Sequence, residues 1–143
     1  MSRMIFINLP VVDLPKSVAF YRALGFEPNP KFSDESGACM ALSETIYVML
    51  LTHAKWQGFT SRPIPARGSS EVSLAMTCDS KAEVDRLVET AGQNGGRIDV
   101  NPPEDHHFMY QRTLADPDDH IWEPFWMDPA MASGAATLPQ AAA

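Results

Sequence analysis

Between positions 4 and 12 the chain is crowded with Ile, Phe, Leu and Val, interrupted by Asn8 and Pro10. β-branched and aromatic residues favour a pleated surface, and a proline without a ladder donor belongs at a strand edge or end. A strand is predicted over about 4–11. Asp13 can then cap the free N–H groups of a helix, and Pro15 fits its first turn. Val18, Tyr21 and Leu24 fall at helical spacing before Gly25, which predicts a helix over about 15–24. From Phe26 the pattern breaks into short apolar segments at 26–32, 37–42 and 45–51, separated by the polar clusters 33–36 and 43–44. Turn residues between short β-prone runs predict three more strands.

Residues 53–69 hold Gly58, Pro63, Pro65 and Gly68 and follow neither periodicity, so a connecting loop is expected there. The first pattern then returns. A strand is predicted at 71–78, and a helix at about 81–92 opens at Asp79-Ser80 with Glu83 supporting its first turn. Its apolar stripe is Val84, Leu87, Val88 and Ala91, and Gly92, Gly95 and Gly96 close it. Three further strands are expected near 97–101, 108–115 and 119–126. The order βαβββ thus occurs twice, in half-modules at about 4–52 and 70–128 joined by 53–69, within one domain spanning 1–129. The Ala-rich tail 130–143 has no apolar period, and a loose end or weak helix is expected.

Charge narrows the partners. A formal charge of −7 leaves no clustered Lys and Arg to neutralise phosphates, so nucleic acid is not an expected partner. No apolar run approaches the roughly 20 residues that cross a bilayer, and Pro10 and Asp13 end the first apolar stretch too early for a signal-peptide core. No membrane association and a cytoplasmic location are the expectations. Cys39 and Cys78 could form only one bridge, and buried free thiols are expected instead.

Three stretches together carry a family resemblance. They are Val11-Val12-Asp13-Leu14 with Ser17-Val18-Ala19-Phe20-Tyr21 and Leu24-Gly25-Phe26, then Asp116-Pro117-Asp118-Asp119-His120, then Ile121-Trp122-Glu123. In this order and spacing the chain resembles the glyoxalase/bleomycin-resistance/extradiol-dioxygenase superfamily, also called vicinal-oxygen-chelate proteins, over about 4–128. The resemblance implies an α+β fold in which two βαβββ modules form a curved mixed sheet around a central pocket, with helices outside. It implies a homodimer, with half-modules paired within one chain or between two. It implies both enzymes, such as lactoylglutathione lyase-like glyoxalases, isomerases and extradiol dioxygenases, and non-catalytic drug-binding resistance proteins.

The family's enzymes hold a divalent metal on inward side chains of four strands. Counted from the matched motifs, those places fall at Phe6, Leu50, Ser73 and Glu123, where Glu123 alone is a strong ligand. A Zn, Fe or Mn site needs about three suitable donors. The expected function is therefore small-molecule binding in an apolar pocket without the usual metal, with Glu123 as a base for proton-transfer, lyase or isomerase chemistry. The alternatives are a metal-dependent glyoxalase or dioxygenase whose unusual ligands join Glu123 to His107, His120 or His53, and a non-catalytic drug-binding resistance or structural protein.

Alternation places Tyr110 and Arg112 on one face of a strand near the expected pocket mouth, where phenol and guanidinium donors would orient a ligand. Tyr110 is therefore a catalytic candidate beside Glu123. Arg112, His107, Phe6, Leu50, Ser73 and Phe125 are the substrate-binding candidates. An ordinary hydrated strand end accounts equally for the residues around His107, and a carboxylate bonded to a nearby Arg accounts for Glu123. Trp122 and Trp126 share the opposite face from Glu123 and are expected to pack beneath the helices.

Overall fold

The first apolar segment forms strand β1 (Ile5–Val11), which leads into helix α1 (Leu14–Ala23) in the computed structural model, where residues 2–132 are described. Asp13 has extended backbone and its carboxylate accepts the Lys16 N–H at 3.1 Å, as a helix cap should. Gly25 has φ of 99°, a left-handed conformation that favours glycine, and it releases the chain into β2 (Glu27–Asp34). Strands β3 (Gly37–Ala41) and β4 (Ile46–Thr52) complete a sheet ordered β1-β4-β3-β2. The β1–β4 pair is parallel and the others are antiparallel.

The connection differs from a plain loop. Thr52 accepts the Lys55 N–H and caps a short helix, α2 (His53–Gln57), before the chain crosses to β5 (Ser73–Thr77). Helix α3 (Lys81–Gln93) is capped by Ser80 rather than Asp79. The Ser80 hydroxyl accepts the Glu83 N–H, and the Glu83 carboxylate reaches back to the Asp79 N–H. These two bonds satisfy two otherwise orphaned donors.

Beyond α3 the predicted strands are more broken than the apolar pattern implies. They appear as β6 (Arg97–Ile98), β7 (Glu104–Asp105), β8 (Met109–Gln111), β9 (Leu114–Ala115) and β10 (Ile121–Met127), with a last helical turn α4 (Pro129–Ala132). Pro102 and Pro103 lack ladder donors and separate β6 from β7. β10 pairs in parallel with β5 on one side, and with β9 and then β8 on the other. β6 pairs with β9 and β7 with β8. Read as two bent strands, β6–β7 and β8–β9 reproduce the order of the first sheet, so the βαβββ unit does occur twice. The tail expected to be loose or weakly helical lies, beyond residue 132, outside the described residues.

Each sheet buries one face beneath its helix. In the first, Leu9, Val11, Val48 and Leu50 pack with Phe20 and Tyr21 of α1; in the second, Leu114 and Trp122 pack with Val88 and Ala91 of α3. These residues form one core. Polar bonds tie the halves together within the chain: the His120 ring Nε2–H donates to the Pro10 carbonyl at 2.8 Å, and the Val12 N–H donates to Asp118 at 2.9 Å. Cys39 and Cys78 are buried free thiols, and burial pushes the Cys78 thiol up to about 11. Among the described residues, no helix is long and apolar enough to cross a membrane.

Gly96 sits against the backbone of its own half and the Phe20 ring of the other, where no side chain fits. A Cβ there would press on the Ala115 carbonyl oxygen and come within 2.8 Å of the Phe20 ring. Backbone cannot yield as a flexible side chain does, so Gly96→Ala is expected to cost about 1–3 kcal/mol by overpacking. Urea unfolding measures it. A loss below about 0.5 kcal/mol, the range of ordinary surface substitutions, would show that the backbone around Gly96 yields easily.

Candidate functional site

Parity along β10 decides what the sheet offers on the side away from the helices. Trp122, Pro124 and Trp126 alternate with Glu123, Phe125 and Met127. Trp122 lies in the core and Lys81 of α3 lies over the Trp126 ring, so the tryptophan side faces the helix as expected. Glu123 therefore belongs to the open face, opposite Ala75 of β5. It borders a cavity of about 490 Å³ together with Ser73, Arg97, Asn101 and Glu71. Its carboxylate is half-buried and makes no hydrogen bond or ion pair with any described residue. Arg97, the cation of this cavity, is held by Asp119.

The other polar candidates are directed elsewhere. Tyr110 pairs with Trp126 across the ladder and so shares its helix-facing side. Its hydroxyl donates to Asp85 of α3 at 2.7 Å, and burial followed by that bond raises its pKa. Arg112 is buried on the same side. Its guanidinium makes two bonds of 2.9 Å to Asp99 and one of 3.0 Å to Asp85, with Glu89 at 3.5 Å. Bonding to Asp99 raises its pKa and keeps it cationic. The two residues do share a face, but it is not the face of Glu123, and neither lines a cavity with it.

The apolar candidates divide in the same way. Leu50 is fully buried in the core, because its partner in the β1–β4 ladder is Leu9, another core residue. It is not a pocket residue. Phe6 is half-exposed on the open face and stacks on Tyr47 with ring centroids 4.8 Å apart, outside both cavities. Phe125 shares the Glu123 face without lining the cavity. Ser73 does line it. The Glu123 cavity is thus more polar than predicted, and the apolar cavity lies elsewhere, at the junction of the halves.

The alternative histidine set does not assemble. His107 sits in the turn between β7 and β8 with φ of 66° and is exposed. His53 and His120 border the junction cavity rather than the Glu123 cavity. Asp119, also at positive φ (72°), holds the turn before β10 and accepts the Gly68 N–H at 2.7 Å.

A sequence profile of the Glyoxalase/Bleomycin resistance protein/Dioxygenase superfamily matches residues 3–123. The chain belongs to this superfamily. Its fold is shared by solved structures of similar size. A hypothetical protein from S. aureus is 27% identical with a TM-score of 0.74, covering 88% of this chain and 95% of its own. A glyoxalase-related enzyme from Fulvimarina pelagi is 24% identical with a TM-score of 0.73, covering 88% of each chain. A superfamily enzyme from Burkholderia phytofirmans PsJN is 18% identical with a TM-score of 0.74, covering 88% of this chain and 99% of its own. No curated protein sequence is significantly similar.

Superfamily enzymes commonly use a divalent metal, and the residues of this chain can be tested against one. On the open faces the relevant strands present Phe6 and Asn8 from β1, Tyr47 and Met49 from β4, Ser73 and Ala75 from β5, and Glu123 from β10. The β4 position moves by one residue from Leu50, but neither neighbour is a good donor. Among the described residues no three His, Cys, Asp or Glu side chains are placed so that they could hold a metal ion. One carboxylate with amide, hydroxyl and thioether groups does not fit the donor set of Zn, Fe or Mn.

Proposed function

We propose that this superfamily member binds a small organic molecule on the open face around Glu123 and acts on it by proton transfer without a divalent metal. The observation that carries this reading is the half-buried, unpartnered Glu123 carboxylate beside a cavity of about 490 Å³. Such a group accepts a hydrogen bond or a proton from a ligand, while the Ser73 hydroxyl and the Asn101 amide offer donors to a ligand oxygen. In an isomerisation of an α-hydroxycarbonyl compound, Glu123 would take the proton from the hydroxyl-bearing carbon, giving an enediolate, and return it to the former carbonyl carbon while the hydroxyl proton passes to the former carbonyl oxygen, so that hydroxyl and carbonyl exchange places.

Glu123→Gln keeps the shape of the side chain and removes its charge. Hydrogen bonds to charged groups are worth about 1.5–3 kcal/mol, so ligand affinity is expected to fall about 10- to 100-fold, and any proton-transfer turnover to vanish. Stability should change by less than about 0.5 kcal/mol, because no protein partner is lost. The measurement is calorimetry and turnover with hemithioacetals, catechols and epoxide antibiotics, with chelator and with added Zn, Fe, Mn or Ni. Turnover that requires a metal would overturn the reading.

The assembly that accompanies this reading is a homodimer. Met4, Ile5 and Phe6 are each about half-exposed at the start of β1, and a second copy would cover them. Light scattering at protein concentrations in the range of natural weak dimers, roughly micromolar and above, should give twice the chain mass. A monomer there would remove the dimer from the proposal.

A further inference from the structure

The junction between the half-modules holds a second cavity, of about 340 Å³, which the Glu123 chemistry does not use. Its apolar walls are Ile7 and Leu9 of β1, Trp56 of α2, Ile64 of the connection, Leu74 of β5 and Ile121 of β10. We propose that it is a separate binding site for a small, uncharged aromatic molecule carrying one hydrogen-bonding group.

Size and wall chemistry give the first part of this assignment. Ligand pockets run from about 300 Å³ upwards, with mainly apolar walls and a few polar groups that fix orientation. Trp56 supplies an aromatic wall. It is half-buried, and its ring stacks on no other aromatic ring among the described residues. The Thr52 cap fixes the turn that carries both Trp56 and His53.

Charge at the cavity gives the second part. Asp118 already accepts the Val12 N–H and the Ser17 hydroxyl, with Arg67 at 3.9 Å. Asp119 holds Arg97 and the Gly68 N–H, and the His120 ring is bonded to the Pro10 carbonyl. These charged and polar groups are engaged in holding the β10 turn against the first half, Arg97 and the connection. The His53 ring and the Asn8 amide, like the Ser69 and Ser70 hydroxyls, make no side-chain hydrogen bond to any described residue. An imidazole and an amide each donate and accept, which suits a hydroxyl or carbonyl. Glu71, an exposed carboxylate at the edge, disfavours an anion.

The site is also distinct from that of Glu123. The segment from Ser70 to Val72, Asp119 and Ile121 border both cavities, but Trp56 and His53 border only the junction cavity and Glu123 only the other. Substitutions can therefore separate the two. The probe is p-cresol, with benzoate and benzylamine as charged comparisons, followed by amide and indole N–H chemical shifts of the full chain. p-Cresol, with few atoms to contribute, is expected to bind with a dissociation constant of about 1 mM. Its shifts should centre on the Trp56 indole, Asn8 and Ser69, which border only the junction cavity, and not on Glu123 or Asn101.

Ile64→Trp, which fills the cavity, and Trp56→Ala, which removes a wall, should each weaken binding about tenfold or more. Because Trp56 is already partly exposed, its replacement provides a folded test if the larger side chain is not tolerated. Glu123→Gln should leave cresol binding unchanged, so failure here is separable from failure of the Glu123 reading. The assignment is overturned by shifts centred on Glu123, by benzoate or benzylamine binding as tightly as p-cresol, by a folded Trp56→Ala protein of undiminished affinity, or by shifts that do not saturate.

Discussion

Replacing Tyr21 by Phe is expected to lower stability by about 2–4 kcal/mol, since a buried group left without its partner costs about 1–3 kcal/mol and two would be left. Tyr21 is fully buried in α1 of the first half. Its hydroxyl donates to Asp116 at 2.6 Å and accepts from the Trp122 indole N–H at 3.0 Å, both in the second half. Asp116 also accepts the Asp118 and His120 N–H groups at 2.9 Å each. One phenol thus links the two half-modules, and its loss strands an indole N–H and a carboxylate oxygen. Urea unfolding followed by tryptophan fluorescence checks the magnitude. A loss under about 0.5 kcal/mol, no more than an ordinary surface change, would mean that apolar packing alone holds the junction.

The same network has a pH signature. Burial raises the Asp116 pKa, partly offset by the charge of His120 and by the bond from Tyr21. A carboxyl whose pKa is higher folded than unfolded takes up a proton on folding. Its contribution is therefore fully present below the unfolded value, about 3.9, and is lost as pH rises through the folded value. Asp116→Asn does not titrate. The stability of the natural protein relative to this variant should fall as pH rises from about 4, and a difference that grows instead would reverse the assigned direction.

The parts of the fold that were legible were those set by short-range chemistry. The Asp13 cap, the Gly25 stop and the stripe of Val84, Val88 and Ala91 each act within a few residues, and both helices follow from them. Alternation also placed Trp122 and Trp126 beneath the helix. The count from the family motifs fell one residue from the open face at Leu50, and alternation could not correct it, because Ile46 to Leu51 are all bulky and mostly apolar and a run without polar residues does not distinguish faces. The junction cavity was not legible, since its walls come from β1, α2, the connection and β10. Arg112 is the instructive case. Its partnership with Tyr110 was readable from parity, but its direction depended on carboxylates elsewhere. Asp85 and Glu89, four residues apart on α3, were the available signal, because that spacing puts two negative charges on one helix side.

That direction makes Arg112 a stabilising residue, and Arg112→Met should cost about 2–3 kcal/mol. Removing one partner of a buried ion pair typically costs about 3–5 kcal/mol, but this value needs discounting for solvent. The Asp85 and Glu89 side chains are 49% and 60% exposed, whereas Asp99 is 30% exposed and sits at φ of 51°, a conformation that its two bonds to Arg112 help to hold. Losing the guanidinium leaves three carboxylates near one another. Added salt should screen their repulsion and recover part of the loss. Arg112→Lys keeps the charge but not the planar fork that grips both Asp99 oxygens, so it should recover only part of the stability. The decisive comparison is with Glu123→Gln. If Arg112 were instead the partner of Glu123, the two substitutions would lose stability together and the double variant would lose no more than Arg112→Met alone; with Arg112 committed to Asp99 and Asp85, Glu123→Gln should leave stability unchanged in either background.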